Sequence, residues 1–171
     1  MIIGISELDV AARLAAAMGA GMVMGLNRDL KGKPAGVRTL GLVGLGSALA
    51  TLAASGFVSA TNINVDAVSR AIQGIITGIG FLGAGVIFRE EHHQRVRGLT
   101  TAASIWLTAC FGMVCGIGAW TVGLTALILA LILLAFGKSV ERFARWLRPE
   151  VPDPDDDDAP ADKEKAKSGP A

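Results

Sequence analysis

Charged residues fall in clusters along this chain, and the stretches between the clusters are apolar on every face. No Asp, Glu, Lys or Arg occurs from Leu14 to Asn27, from Thr39 to Val65, from Ala71 to Phe88, or from Gly98 to Gly137. A membrane-crossing helix needs about 20 predominantly apolar residues. The second run holds one span and a short polar connection at Ser59, Thr61, Asn62 and Asn64, and the third holds one span. The last run is the longest and holds two spans, with a break near Gly116-Ile117-Gly118-Ala119. The first run is short for a span, so its helix is expected to reach back past Arg13 to about Leu8, with Arg13 snorkelling toward the headgroups. The pattern predicts an all-α polytopic membrane bundle of about five transmembrane helices, at 8–27, 39–58, 68–88, 99–117 and 120–137. A soluble five-helix domain is disfavoured, because an uncharged run from Gly98 to Gly137 has no solvated face.

Charge sharpens this picture only when it is split by position. The whole chain of 171 residues carries +1, but residues 150–171 hold 8 acids against 3 bases. Residues 1–149 therefore hold 7 acids against 13 bases, and five of the six prolines lie at or beyond Pro149. Three regions are expected: a transmembrane domain at 1–137, a juxtamembrane amphipathic basic helix at 138–148, and a disordered acidic cytoplasmic tail at 149–171. In KSVERFARWLR (138–148), Val140, Phe143, Ala144 and Leu147 share a face while Lys138, Arg142, Arg145 and Arg148 supply charge. That segment either lies on anionic lipid or simply continues helix 5. With five spans, eleven Lys and Arg fall on one side and only Arg13 and Arg70 on the other. The positive-inside rule then puts the amino terminus outside and the carboxyl terminus in the cytoplasm. The amino-terminal segment has no basic start before its apolar stretch, so helix 1 reads as a retained span.

The glycines indicate how the helices meet. Gly21 and Gly25, Gly74 and Gly78, and Gly112 and Gly116 are small-xxx-small pairs on helices 1, 3 and 4, a spacing that lets backbones approach closely in lipid. Helix 3 adds Gly80, Gly83 and Gly85, which serve either close packing or a broken helix lining a polar site. Gly19–Met24 and Gly83–Phe88, each followed by a basic loop, form a faint parallel repeat. Cys110 and Cys115, five positions apart on a helix, point in different directions and are read as buried, unbridged thiols. Trp120 and Trp146 suit interfacial anchoring, and Trp106 is expected to pack inside the bundle.

Three segments carry a family resemblance: GLNRDLKGKPAGVRTLGLVGLGSAL (25–49), GIGFLGAGVIFRE (78–90) and RGLTTAASIWLTACFGMVCGIG (97–118). In this order they resemble the membrane domain of the MgtC/SapB family over roughly residues 10–137. The resemblance implies a bacterial inner-membrane protein linked to growth at low magnesium and, in pathogens, to survival inside host cells. It implies either a transporter or transport component, or a regulator that binds another membrane complex such as an ATPase. Two departures stand out. Asn27 stands where many members have Glu, which removes an acidic group from any cation carrier. Longer members carry a soluble domain after the last span, where this chain has the acidic tail.

Candidate chemistry gathers at the basic helix ends. Arg28, Arg38 and Arg97 are either topology signals or pins that bond helix carbonyls or an acid such as Asp29. Thr39, Thr100, Thr101 and Ser104 either cap helices 2 and 4 or, with Asn27, line a small polar vestibule beside helix 3. Gln73, inside helix 3, either bonds across to another helix or marks a pathway. No carboxylate falls at the membrane centre, whereas a cation carrier usually has one. Magnesium sites typically use one or two carboxylates, and here only loop acids are available. Glu90-Glu91-His92-His93 reads as a solvated loop, since consecutive side chains rarely converge on one ion. No nucleophile–base pair appears, so neither an enzyme nor a cofactor is expected. The partners expected are lipid, further copies of the chain or another membrane complex, and not nucleic acid.

Overall fold

The computed structural model describes residues 5–56, 64–89 and 96–147, and local signals account for where its helices start and stop. Helix α1 (Glu7–Asp29) begins on Ser6, whose hydroxyl accepts the Asp9 N–H at 3.1 Å, with Glu7 and Asp9 in the first turn. Helix α2 (Val37–Ala54) has Gly36 at its N-cap, and Oδ2 of Asp29 stands in for the missing cap by accepting the Val37 N–H at 2.9 Å. Helix α3 (Val65–Gly85) is capped by Asn64, whose side-chain oxygen accepts the Ala67 N–H at 3.1 Å. Helix α4 (Leu99–Ile117) lies between two left-handed glycines, Gly98 at φ 88° and Gly118 at φ 86°. Helix α5 (Trp120–Leu147) starts just beyond Gly118 and Ala119. All five helices contain a stretch long and apolar enough to cross a membrane.

Two boundaries differ from the sequence pattern. The 138–147 stretch continues α5 without a break, the second of the two readings its sequence allowed, so α5 runs past the expected 137. Between α3 and α4, β1 (Phe88–Arg89) pairs antiparallel with β2 (Val96–Arg97), Phe88 opposite Arg97. Glu90, Glu91, His92 and His93 lie outside the described residues, as does the acidic tail.

Helix α4 is the hub. It is the most buried of the five and packs against each of the other four. With α1 and α2 it forms an inner triad whose backbones nearly touch, and glycine makes this approach sterically available. A Cβ on Gly112 would overlap the Gly44 carbonyl and stand 2.7 Å from Ser47 Cβ. On Gly116 it would stand 2.9 Å from the Ala48 carbonyl oxygen, and on Gly25 2.5 Å from Val37 Cα. A Cβ on Gly21 would overlap the Leu40 carbonyl. The pairs on helices 1 and 4 thus serve close packing, and both close onto α2. Gly44, which belongs to neither pair, sits between them, since its own Cβ would meet the Ala17 carbonyl oxygen at 2.5 Å. Around this seam Ala17, Leu40, Ala48, Leu52, Thr51 and Thr108 are fully buried.

The glycines of α3 behave otherwise. The helix is continuous from Val65 to Gly85, which corrects the broken-helix alternative. Gly74, Gly78, Gly80 and Gly85 have nothing within 4 Å of an added Cβ, and Gly83 has only an ordinary contact with Ala102. Gly83 thus packs against α4 at ordinary distance, whereas the other four make no close approach to another described helix. The two segments of the faint repeat are packed differently here: Gly21 abuts α2, whereas Gly85 abuts nothing among the described residues. Trp106 also faces outward, 47% exposed, rather than into the bundle. Cys110 and Cys115 are free thiols, Cys115 buried.

Candidate functional site

The polar chemistry collects where α1 ends, α2 begins and α4 begins. Arg28, on the last turn of α1, is 1% exposed. Its Nε and one terminal nitrogen donate to the Pro34 carbonyl at 3.0 and 2.8 Å. The same terminal nitrogen donates to Thr101 Oγ1 at 2.5 Å, and the other donates to Ser104 Oγ at 3.2 Å. A planar fork of five donors suits this task, because its bonds leave in fixed, divergent directions. One side chain thereby joins α1, the α1–α2 loop and α4. Ser104 completes the relay by donating to the Thr100 carbonyl at 2.8 Å. Thr108 in turn donates to the Ser104 carbonyl at 2.7 Å. Both are bonds back to the preceding helical turn, the usual way a hydroxyl is satisfied inside a helix.

This buried cluster is the floor of a cavity of about 290 Å³ between α1, α4 and α5. Asn27, Arg28, Lys31, Lys33, Thr100 and Ser104 line one part, and Met24, Ala103, Leu107, Ala130, Leu133, Leu134 and Gly137 line the rest. Lys31 Nζ bridges to α5 by donating to the Leu134 carbonyl at 2.6 Å. The lining residues include three cations and neither Asp nor Glu. Among the described residues, no group of three or more His, Cys, Asp or Glu side chains converges as a metal site would require.

Five of the residues expected from sequence meet here: Asn27, Arg28, Thr100, Thr101 and Ser104. Asp29 sits alongside, but as the cap of α2. Arg38, Thr39 and Gln73 are exposed and do not line the cavity. Arg97 lies on β2, outside the lining. The vestibule is thus bounded by α5 rather than by α3. Lys31 and Lys33, which in the sequence signal only topology, also line it. The α5 wall carries no sequence signal, because Leu and Ala there match those of any span. The hydroxyls of Thr101 and Ser104 serve Arg28 rather than capping α4, whose N-cap is Gly98.

The opposite end of the bundle has its own buried arginine. Arg13 does not snorkel; it is 6% exposed and donates to the Gly116 carbonyl at 3.0 Å while pairing with Asp9 at 2.9 Å. An added Cβ at Gly118 would stand 2.8 Å from its Cζ, so the left-handed glycine that ends α4 also makes room for the guanidinium. The cation satisfies a C-terminal carbonyl and complements the helix dipole there. Arg13→Ala is expected to lower stability by about 1–3 kcal/mol through that orphaned carbonyl. The loss would be seen as an earlier midpoint in detergent-based unfolding, with the basic-end cavity unchanged.

Five apolar helices joined by buried arginines, with a cationic cavity at one end, define a multi-pass α-helical membrane protein. The comparisons with known proteins make this more specific. The chain belongs to the MgtC family, whose model matches residues 14–143. It is 45% identical to Protein SrpB of Synechococcus elongatus over 150 residues, covering 82% of this chain and 81% of that protein. It is 41% identical to the Escherichia coli K12 protein named "Putative magnesium transporter YhiD" over 115 residues, 65% of this chain and 52% of that protein. It is 42% identical to Protein MgtC of Salmonella typhimurium over 118 residues, 69% of this chain and 48% of that protein. The chain thus spans about half the length of these last two relatives. No solved structure matches it.

Proposed function

We propose that the chain is a bacterial inner-membrane protein of magnesium homeostasis that acts by binding and modulating another membrane complex, with its carboxyl terminus in the cytoplasm. The observation that carries this reading is the lining of the basic-end cavity, whose described residues include the cations Arg28, Lys31 and Lys33 and no carboxylate. A divalent cation about 4 Å from one such charge is repelled by roughly 8 kcal/mol at an effective dielectric constant of about 20. Magnesium sites place carboxylates or phosphates there instead. The seam between α1, α2 and α4 is closed by backbone contact at Gly21, Gly44 and Gly112. The orientation rests on the eleven-to-two distribution of Lys and Arg in the sequence.

A second reading, a component of a magnesium transporter, is favoured by a different observation. Helices α3 and α5 leave most of their apolar surface uncovered, 17% and 11% of their spans being buried. Several copies joined through those faces could enclose a path between them. The YhiD relative's name points the same way.

Reconstitution separates the two. Purified chain in liposomes loaded with a magnesium-sensitive dye is expected to give no flux above empty liposomes, in either orientation and with a membrane potential imposed. Crosslinking in native membranes is expected to recover a stoichiometric membrane partner. Magnesium flux that scales with protein content would overturn the modulating role in favour of transport.

A further inference from the structure

The cavity is amphipathic along its length, and this property is independent of whether the protein transports or modulates. Its cations and hydroxyls gather at the α1–α2 loop, while Leu107, Ala130 and Leu133 carry the apolar lining onto α4 and α5. Leu133 is 71% exposed on a helix that is long and apolar enough to cross the membrane, so the apolar part opens sideways onto lipid. The floor is rigid, since Arg28 and Ser104 are both buried and bonded to each other. We propose that this cavity binds an anionic phospholipid, its phosphate between Lys31, Lys33 and the Thr100 hydroxyl and the upper part of an acyl chain along Leu107, Ala130 and Leu133.

Charge and shape select this occupant together. A phosphate oxygen accepts charge-assisted bonds from ammonium groups and further bonds from hydroxyls, and the cavity supplies both kinds of donor. Basic pockets between transmembrane helices hold anionic headgroups for this reason. A free anion would leave the apolar half unused, and a lipid without net charge would gain less from the cationic half. A cavity of about 290 Å³ suits a ligand whose remaining chain lies in the bilayer. It falls at the small end of the range for ligand pockets. The lysine that carries charge also ties α1 to α5 through the Leu134 carbonyl, so lipid occupancy would bear on how firmly α5 is held.

The test uses the full chain in detergent, with native mass spectrometry and thermal melting as readouts. Phosphatidylglycerol is expected to be retained and to raise the melting temperature, and phosphatidylcholine at equal concentration to do neither. The double variant Lys31→Gln, Lys33→Gln is expected to weaken phosphatidylglycerol binding about 30-fold, or about 5-fold per charge removed. Gly137→Leu supplies an independent arm. No described atom lies within 4 Å of an added Cβ there, so the fold is kept while the new side chain adds bulk to the lining one turn beyond Leu134. It is expected to weaken phosphatidylglycerol binding with the lipid-free melting temperature unchanged. Equal binding of the two lipids would overturn the proposal. So would inorganic phosphate stabilising the protein as well as phosphatidylglycerol does, with Gly137→Leu inert, because the site would then be a free-anion site. Displacement of the lipid by a soluble acidic peptide, again with Gly137→Leu inert, would assign the site to a protein partner and would also overturn it.

Discussion

Replacing Gly112 with leucine is expected to force the inner helices apart, with a loss of about 3 kcal/mol in detergent-based unfolding. The cause is steric and local. The first carbon of any side chain at Gly112 would overlap the Gly44 carbonyl and press on Ser47 Cβ and Ala48 N, at 2.7 and 3.1 Å. These are backbone or helix-anchored atoms, so the strain is relieved only by separating α2 from α4. That separation also frees α1, because Gly44 is seated against the Ala17 carbonyl on its other side. Against a total stability of roughly 5–15 kcal/mol, such a loss removes about a fifth to more than half of the margin. The matched control is Gly74→Leu with Gly78→Leu on α3, where no described atom lies within 4 Å of an added Cβ. It is expected to leave the unfolding midpoint unchanged. Equal losses at both sites would mean that the α3 glycines pack as tightly as those of α4.

Arg28→Ala should be at least as damaging, at about 3–5 kcal/mol, because it removes a large buried side chain and its hydrogen bonds together. The bonds lost are those to Pro34, Thr101 and Ser104. Arg28→Lys is not expected to rescue it. A single ammonium cannot reach a loop carbonyl on one side and two helix hydroxyls on the other, because its donors diverge from one atom. Arg28→Met, which keeps most of the volume, separates the two contributions. Recovery of more than half the lost stability by methionine would show that packing rather than hydrogen bonding is what Arg28 supplies. Unfolding midpoints of the four proteins in one detergent decide this.

Much of the fold was legible in the sequence because of what the bilayer demands. Uncharged stretches of span length, separated by basic clusters, leave few alternatives to five helices, and the five in the structure fall within a few residues of the predicted limits, α5 alone running further. Helix ends were legible where they depend on nearby residues. Asn64 and Ser6 cap through side chains three residues from the N–H groups they accept. The α2 cap was not, because its acceptor, Asp29, is eight residues away across a loop.

The site was half legible. Asn27, Arg28, Thr100, Thr101 and Ser104 stand out for their polarity near helix ends, and they do meet. Their joining could not be read, since Arg28 and Ser104 are 76 positions apart. Arg13 illustrates the opposite error. By sequence it is a charge near a membrane surface, and only the return of α4 to the same end gives it a carbonyl to bind. Glycine spacing was equally ambiguous. The i, i+4 pairs on α1, α3 and α4 look alike, yet two of them close onto α2 and one faces open space.

The sequence by itself determined the number of spans, the charge asymmetry between their ends and the family, because hydropathy, charge and motif order are properties of consecutive residues. The tertiary structure decided that α4 is the central helix, that α1 and α4 rather than α3 use their paired glycines for close approach within the described chain, and that three cations share one cavity with an apolar wall from α5. Those outcomes depend on which faces of separate helices meet, and in a chain whose spans are all apolar, hydropathy does not distinguish one face from another.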